Sequence, residues 1–245
     1  MLTARDEYSL RRFYGRGAKT SAFDRAIKIY CDTTGGAVKT DANQIVYWAE
    51  RKDADFSHSG DQVHVLGLLR GQEIVGLALL FYLPEKRLFV ADHIAITPPA
   101  RSMTAFDRFC DLIERYAHDE GLFVDYFVAE VSIEINEGDP LLNSETLTRL
   151  LQIKGFRVAD CTYFTPSAAM RPPYRPTSAK LLLHTFNETK ISTFRLLEII
   201  RALHDGLYKN WYKAFAQDFE KYCAHLKGIE DTVSKSPFRN PWPSG

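Results

Sequence analysis

Leu150-Leu151-Gln152-Ile153-Lys154-Gly155-Phe156-Arg157 is the stretch on which the reading of this chain turns. Leu147, Leu150 and Leu151 recur at helical spacing, so residues 143–154 read as an amphipathic helix. Gly155 stands where a helix commonly ends on a left-handed residue. The run Phe156–Thr165 then reads as a strand, Leu122–Ile133 as a long apolar strand before the helix, and Lys180–Thr185 as one more strand after it. Between the last two strands lies a linker, Pro166 to Thr177, carrying Pro166, Pro172, Pro173 and Pro176.

Moving outward from that core, 102–120 is an amphipathic helix closed by Gly121. Phe106, Phe109, Ile113 and Tyr116 point in, and Asp107, Arg108, Asp111 and Glu114 point out. Ahead of it, Val63–Leu69, Glu73–Leu83 and Arg87–Thr97 follow one another across the turns Arg70-Gly71-Gln72 and Pro84-Glu85-Lys86, which predicts an antiparallel meander. Two helices precede the meander. One starts at a Ser21 cap (Phe23, Ala26, Ile27, Tyr30) and ends at Gly35-Gly36; the other follows Asp41 (Ile45, Trp48, Ala49). The end of the chain is helical, with Phe194, Leu197, Ile200, Leu203, Leu207, Trp211, Phe215, Phe219, Tyr222 and Leu226 stepping by three or four and Gly206 as a point of division. The order predicts an α/β (α+β) fold, a mixed central sheet flanked by helices. It divides into a basic flexible arm over 1–20, a main domain over 21–185 and a C-terminal helical extension over 186–245. The aromatic face of that extension (Tyr208, Trp211, Tyr212, Phe215, Phe219, Tyr222) must be covered, by its own sheet or by a second copy in a homodimer.

Composition limits the function classes. The chain has 245 residues, 45% hydrophobic and 25% charged, with 31 basic and 31 acidic side chains. At about 150 residues per domain that is one to two domains of ordinary globular character. The balanced charge argues against a general nucleic-acid binder. It conceals a polarity, since residues 171–245 carry 12 Lys/Arg against 7 Asp/Glu. Cys31, Cys110, Cys161 and Cys223 are scattered with no CxxC pair, which reads as reduced, mostly buried thiols, and His58 and His64 have no third ligand nearby, so no metal is expected. No window approaches eighteen apolar residues and the first residues show no secretory leader. The expectation is a cytoplasmic protein that binds neither membrane nor nucleic acid.

The order of elements, with its punctuation, resembles the GCN5-related N-acetyltransferase (GNAT) superfamily. Glu73-Ile74-Val75-Gly76-Leu77-Ala78 is similar to the family's third strand, Ile94-Ala95-Ile96-Thr97-Pro98 to the fourth strand entering the acyl-CoA loop, and Leu150–Arg157 to the helix ending in Gly-Phe. The resemblance implies an acyl-CoA-dependent N-acyltransferase using acetyl-CoA or another acyl-CoA as co-substrate and an amine as acceptor. It implies cofactor contacts at Ile94, Ala95 and Ile96, at Arg101, Ser102, Met103, Thr104, Ala105 and Phe106, and at Ser144. The sequence departs from the family in two places. Thr104 and Phe106 stand where the pyrophosphate loop has small residues, so Phe106 either turns into the core or blocks the phosphates; a one-residue slip would put Ala105 last. Leu151 occupies the position at which many members carry a Tyr that protonates the leaving thiolate. The alternative is a GNAT-fold protein without catalysis that works through protein contacts.

Acetyl transfer to an amine needs the amine neutral and the thiolate protonated. Candidate bases are Asp92 and His93 on the fourth strand and Glu130 and Glu134 on the fifth. Strand alternation sets Asp92 with Val90 and Ile94, and Glu130 with Tyr126 and Val128; carboxylates among apolar strand residues need a partner or a wet cleft. Tyr163 and Tyr126 are the spare hydroxyls, with Tyr163 the candidate acid. A backbone N–H near Ile94–Ile96 would polarise the thioester carbonyl.

Overall fold

A computed structural model describes residues 8–34, 40–50, 61–133, 144–166, 176–186, 191–208 and 216–234. Its contacts form two compact units, Met1–Gly35 with Lys39–Val124, and Gly36–Val38 with Asp125–Gly245. The division falls at Val124, inside the expected main domain, and not after residue 185.

In the first unit β1 (Tyr8–Phe13), β2 (Gln62–Arg70), β3 (Glu73–Leu83) and β4 (Leu88–Ile96) are antiparallel neighbours in that order. The meander is thus as read, with an added strand. Residues 8–13, read as part of a flexible arm, pair with β2 from Tyr8 opposite Arg70 to Phe13 opposite Val65. Arg11 and Arg12 conceal the alternation: Phe13 is buried against Phe23 at 5.1 Å, Tyr8 meets Phe109 edge-on at 5.3 Å, and Arg12 bonds Glu120 at 2.9 Å. Basic side chains also suit an outer strand, because they discourage further pairing.

The helices of this unit are α1 (Ser21–Thr33), α2 (Ala42–Glu50) and α3 (Met103–Asp119). Thr20, not Ser21, caps α1, accepting from the Phe23 N–H at 3.3 Å. Every residue of β3 after Glu73 is buried, as its continuous apolar run requires. Gly76 is needed within it, since a Cβ there would strike the Ala95 carbonyl oxygen of β4. The glycine of the motif therefore lets two strands approach closely.

The second unit is built on β8 (Pro176–Thr185), which pairs antiparallel with β5 (Tyr126–Ser132), β6 (Arg157–Val158) and β7 (Tyr163–Pro166). The single strand read over 156–165 is two short ones, because Asp160-Cys161 turns between them. β8 begins at Pro176, four residues before the expected start, and Pro166 lies opposite Pro176, so both ends of the proline linker are strand. β5 starts at Tyr126, four residues later than expected.

Helix α4 (Ser144–Ile153) ends at Gly155, whose φ of +86° is left-handed and whose Cβ would stand 2.9 Å from the His184 ring. Helix α5 (Thr193–Leu203), capped by Ser192, runs into a wider turn over His204–Tyr208 with π-type pairing, which contains the Gly206 at which a division was expected. Helix α6 (Ala216–Ser234) buries Tyr222, Ile229 and Val233. Trp211, Tyr212 and Phe215, and the side chain of Phe219, lie outside the described residues. Among the cysteines only Cys110 is fully buried; Cys31 and Cys223 are exposed, contrary to the reading of mostly buried thiols. Cys161 is half-buried, and burial with the nearby Asp160 pushes its thiol up to about 11. No helix among the described residues is long and apolar enough to cross a membrane.

Candidate active site

The β3–β4 ladder slips by one residue in the middle. Leu79 lies opposite His93 but Leu80 lies opposite Ala91, so Asp92 is an extra residue in β4. In a regular strand Asp92 and His93 would point to opposite faces. A bulge cancels that alternation and re-aims side chains. Here it sets the Asp92 Oδ2 3.4 Å from the His93 Nε2. The expected alignment of Asp92 with Val90 and Ile94 is therefore interrupted at the residue in question.

Thr40 completes the group. Its hydroxyl lies 3.3 Å from Asp92 Oδ2 and 3.4 Å from His93 Nε2, its carbonyl accepts the Tyr30 hydroxyl at 2.9 Å, and the Tyr30 ring meets the imidazole edge-on at 5.3 Å. These contacts to Asp92 are long for hydrogen bonds and hold it loosely. Burial lifts the Asp92 carboxyl above its ordinary range, while His93 and Thr40 pull it the other way. Burial, and then Asp92, raise Tyr30 well above an ordinary phenol. The side chains of Asp92 and His93 keep 14% and 12% exposure, so the pair is reachable from solvent.

After β4 the chain makes a short turn over Pro98–Ala100 and enters α3, whose cap Ser102 accepts from the Ala105 N–H at 3.1 Å. The Phe106 N–H bonds the Ser102 carbonyl at 3.0 Å. The N–H groups of Met103 and Thr104 are in the first turn, where no intrahelical acceptor exists. Ala105 and Phe106 are buried, and Met103 and Thr104 are exposed. Phe106 thus turns into the core, the first of the two outcomes its position allowed. The Arg101 Nε–H donates to the Ile96 carbonyl at 2.8 Å, so this side chain closes the end of β4. Ala95 and Ile96 are buried, and Ile94–Ile96 pair with Gly76–Ala78.

The second unit holds a different carboxylate. Glu130 of β5 accepts the Tyr163 hydroxyl on Oε1 and the Tyr208 hydroxyl on Oε2. Two of the residues singled out from the sequence are thereby joined, and a third group comes from the turn after α5. Burial, then the Glu130 carboxylate, raise Tyr163 well above an ordinary phenol, so it stays protonated. Beside them His204 is fully buried, and its Nδ1 lies 3.1 Å from the Tyr222 hydroxyl, which donates to the His204 carbonyl at 2.8 Å.

The remaining candidates are dispersed. Tyr126 is buried beneath the Arg195 guanidinium at 4.9 Å. Ser144 opens α4 and its carbonyl accepts the Thr148 hydroxyl at 2.5 Å. Leu151 is buried. His64 faces the Tyr116 hydroxyl at 2.8 Å in the core of the first unit. Glu134 and His58 lie outside the described residues. Sequence reasoning missed Thr40, Tyr30 and His204, for which no local signal exists, and Tyr208 and Tyr222, which it read only as part of an aromatic helix face.

No family model matches the sequence, and no curated protein matches it either. Solved structures do. A protein of Bacteroides thetaiotaomicron assigned to the GNAT family of acetyltransferases superposes over 81% of this chain and 97% of its own, with a TM-score of 0.57 at 14% identity. The chain has the GCN5-related N-acetyltransferase fold. Two further GNAT-fold structures agree. One is a Salmonella typhimurium acetyl transferase described as modifying the N-terminal serine of ribosomal protein L7/L12 (8% identity, TM-score 0.52, 76% of this chain and 98% of that one). The other is a tandem GNAT protein of the clavulanic acid biosynthesis pathway (12% identity, TM-score 0.50, 65% of this chain and 47% of that one). At these identities the likeness concerns the GNAT fold, and chemistry has to be argued from this chain's own residues.

Proposed function

We propose that the chain is an acyl-CoA-dependent N-acyltransferase that moves an acetyl or other acyl group directly to an amine, with Asp92 as the base. The observation that carries the reading is the β4 bulge. It sets a carboxyl with raised proton affinity in a solvent-reachable position beside His93, on the strand that leads into α3. A base works best when its proton affinity approaches the working pH, and strongly shifted groups gather where chemistry is done.

Acyl-CoA would be received at the start of α3. The Met103 and Thr104 N–H groups and the positive end of the helix dipole suit a pyrophosphate, and the buried Phe106 leaves room for it. The bound thioester supplies the activated acyl carbon. A backbone N–H of Ile94–Ile96 would stabilise the oxyanion, a contribution of about 3–4 kcal/mol. Asp92 takes a proton from the incoming ammonium, with His93 and Thr40 holding the carboxyl. The neutral nitrogen bonds the acyl carbon, the C–S bond breaks, and one of the nitrogen's two protons passes to the departing thiolate while the other stays on the amide. The products are an amide and free thiol, with Asp92 regenerated by release of its proton. Within the second unit, Glu130, held on both oxygens, is a carboxylate suited to an ammonium, and protonated Tyr163 orients it.

The test is calorimetric titration with acetyl-CoA, followed by thiol release with a panel of primary amines. Micromolar binding together with amine-dependent thiol release that Asp92→Asn abolishes is expected. Absence of acetyl-CoA binding would sink the enzyme and leave a GNAT-fold protein that acts through protein contacts.

A further inference from the structure

The protons around Glu130 can be placed one by one. A carboxylate only accepts, so both phenols, Tyr163 and Tyr208, donate to it. The Tyr222 hydroxyl spends its single proton on the His204 carbonyl at 2.8 Å. Its 3.1 Å contact with His204 Nδ1 then runs from the imidazole N–H to the phenol oxygen. His204 is therefore the Nδ1–H tautomer, and its buried Nε2 has no hydrogen-bond partner among the described residues. The imidazole lies within 6.1 Å of the Tyr163 ring and 5.5 Å of the Tyr208 ring, and stacks on Tyr222 at 5.6 Å.

The backbone explains how these residues meet. His204 and Tyr208 are the first and last residues of the π-type turn that follows α5, and both are buried. Such widened turns cost stability and recur at functional positions. Tyr222, from α6, bonds the turn at its first carbonyl as well as at its imidazole. A buried imidazole left with an unsatisfied nitrogen is a cost that a purely packing role would have avoided with an apolar residue.

We propose that the helical segment after β8 completes an ammonium site within the second unit: Tyr208 is a positioning residue that, with Tyr163, holds the Glu130 carboxylate in one orientation, and the Tyr222–His204 pair holds the turn that presents Tyr208. The ligand so served is a primary ammonium, since the array meets it with a carboxylate and with phenols whose protons are already committed. This inference rests on the acyltransferase reading for the role of Glu130.

The experiment uses the full chain with acetyl-CoA and four amine probes: ethanolamine, tyramine, spermidine and a tripeptide with a free N-terminus. Tyr208→Phe is expected to raise KM for the productive amine on the order of tenfold, with kcat and acetyl-CoA affinity within twofold of the parent. In a Glu130→Gln background the same change should add nothing, because the two side chains act as one. Tyr222→Phe, a milder change that leaves the Tyr208 hydroxyl in place, should shift the same KM. A merely structural role would lower the melting temperature and leave KM alone. An unchanged amine KM in Tyr208→Phe, or additive effects with Glu130→Gln, would overturn the proposal. Should acetyl-CoA bind without turnover of any amine, the acyltransferase reading fails. Tyramine binding by NMR then decides the array: weakening by both Tyr208→Phe and Glu130→Gln supports it, and equal binding or none overturns it.

Discussion

Each of the two compact units places a carboxylate on a strand among apolar neighbours, and they solve the same problem in opposite ways. Asp92 stands on a bulge with a hydroxyl and an imidazole at 3.3 and 3.4 Å, and burial raises its proton affinity. Glu130 stands on a regular strand with a phenol on each oxygen. A loosely held carboxyl can exchange a proton without dismantling its surroundings, whereas protonating the clamped one would cost two charge-assisted hydrogen bonds. The difference assigns proton transfer to Asp92 and charge recognition to Glu130.

The comparison is most exposed to kinetics. Asp92→Asn is expected to lower kcat by about 10²–10⁴-fold, with acetyl-CoA affinity unchanged by calorimetry, while Glu130→Gln acts chiefly on the amine KM. A Glu130→Gln variant that loses more kcat than Asp92→Asn would reverse the assignment.

A second contrast concerns acid. Each unit buries one histidine against a tyrosine hydroxyl, His64 with Tyr116 and His204 with Tyr222, and burial lowers each to about 3. The folded value lies below the unfolded one of about 6.5, so stability is full above pH 6.5 and falls as pH drops from there towards 3. At 1.36 kcal/mol per unit each site should lose about 2 kcal/mol by pH 5. Urea unfolding at pH 7 and pH 5 measures the sum. A difference near zero would mean that neither imidazole is held neutral.

The two motif glycines give a smaller effect. Gly76→Ala drives a Cβ into a backbone carbonyl and should cost about 1–3 kcal/mol. Gly155→Ala meets a movable imidazole but adds a left-handed φ, worth about 1–2 kcal/mol. Equal losses would show that strand approach and helix termination are constrained alike. The smallest change is Ser102→Ala. Losing the cap should cost about 1 kcal/mol, and acetyl-CoA affinity should stay within twofold if the Met103 and Thr104 N–H groups carry the phosphate contact. A tenfold loss would assign that contact to the hydroxyl.

Most of the fold was legible in the sequence. β3 was bounded to the residue from its apolar run, α3 from its four inward aromatic and aliphatic side chains, and the end of α4 from Gly155. Local periodicity suffices for such elements. The edge strand β1 was hidden by Arg11 and Arg12, since alternation is faint when each face of a strand carries an arginine and only Phe13 is fully buried. Among the candidate groups of the two units, Asp92, His93, Glu130 and Tyr163 were legible as chemistry out of place on strands. Their partners were not: Thr40 lies 52 residues from Asp92, Tyr208 lies 78 from Glu130, and no period connects them.

The sequence by itself determined most of the segments that are helix and strand, because spacing of apolar residues and the position of glycine and proline are properties of short windows. It also determined which ionisable groups would be costly where they lie. Only the tertiary structure decided that Phe106 is core, that a one-residue slip between β3 and β4 turns Asp92 towards His93, and that two phenols close on Glu130. Each of these depends on register and packing between segments far apart in the chain, and a difference of one residue in register reverses the face on which a side chain works.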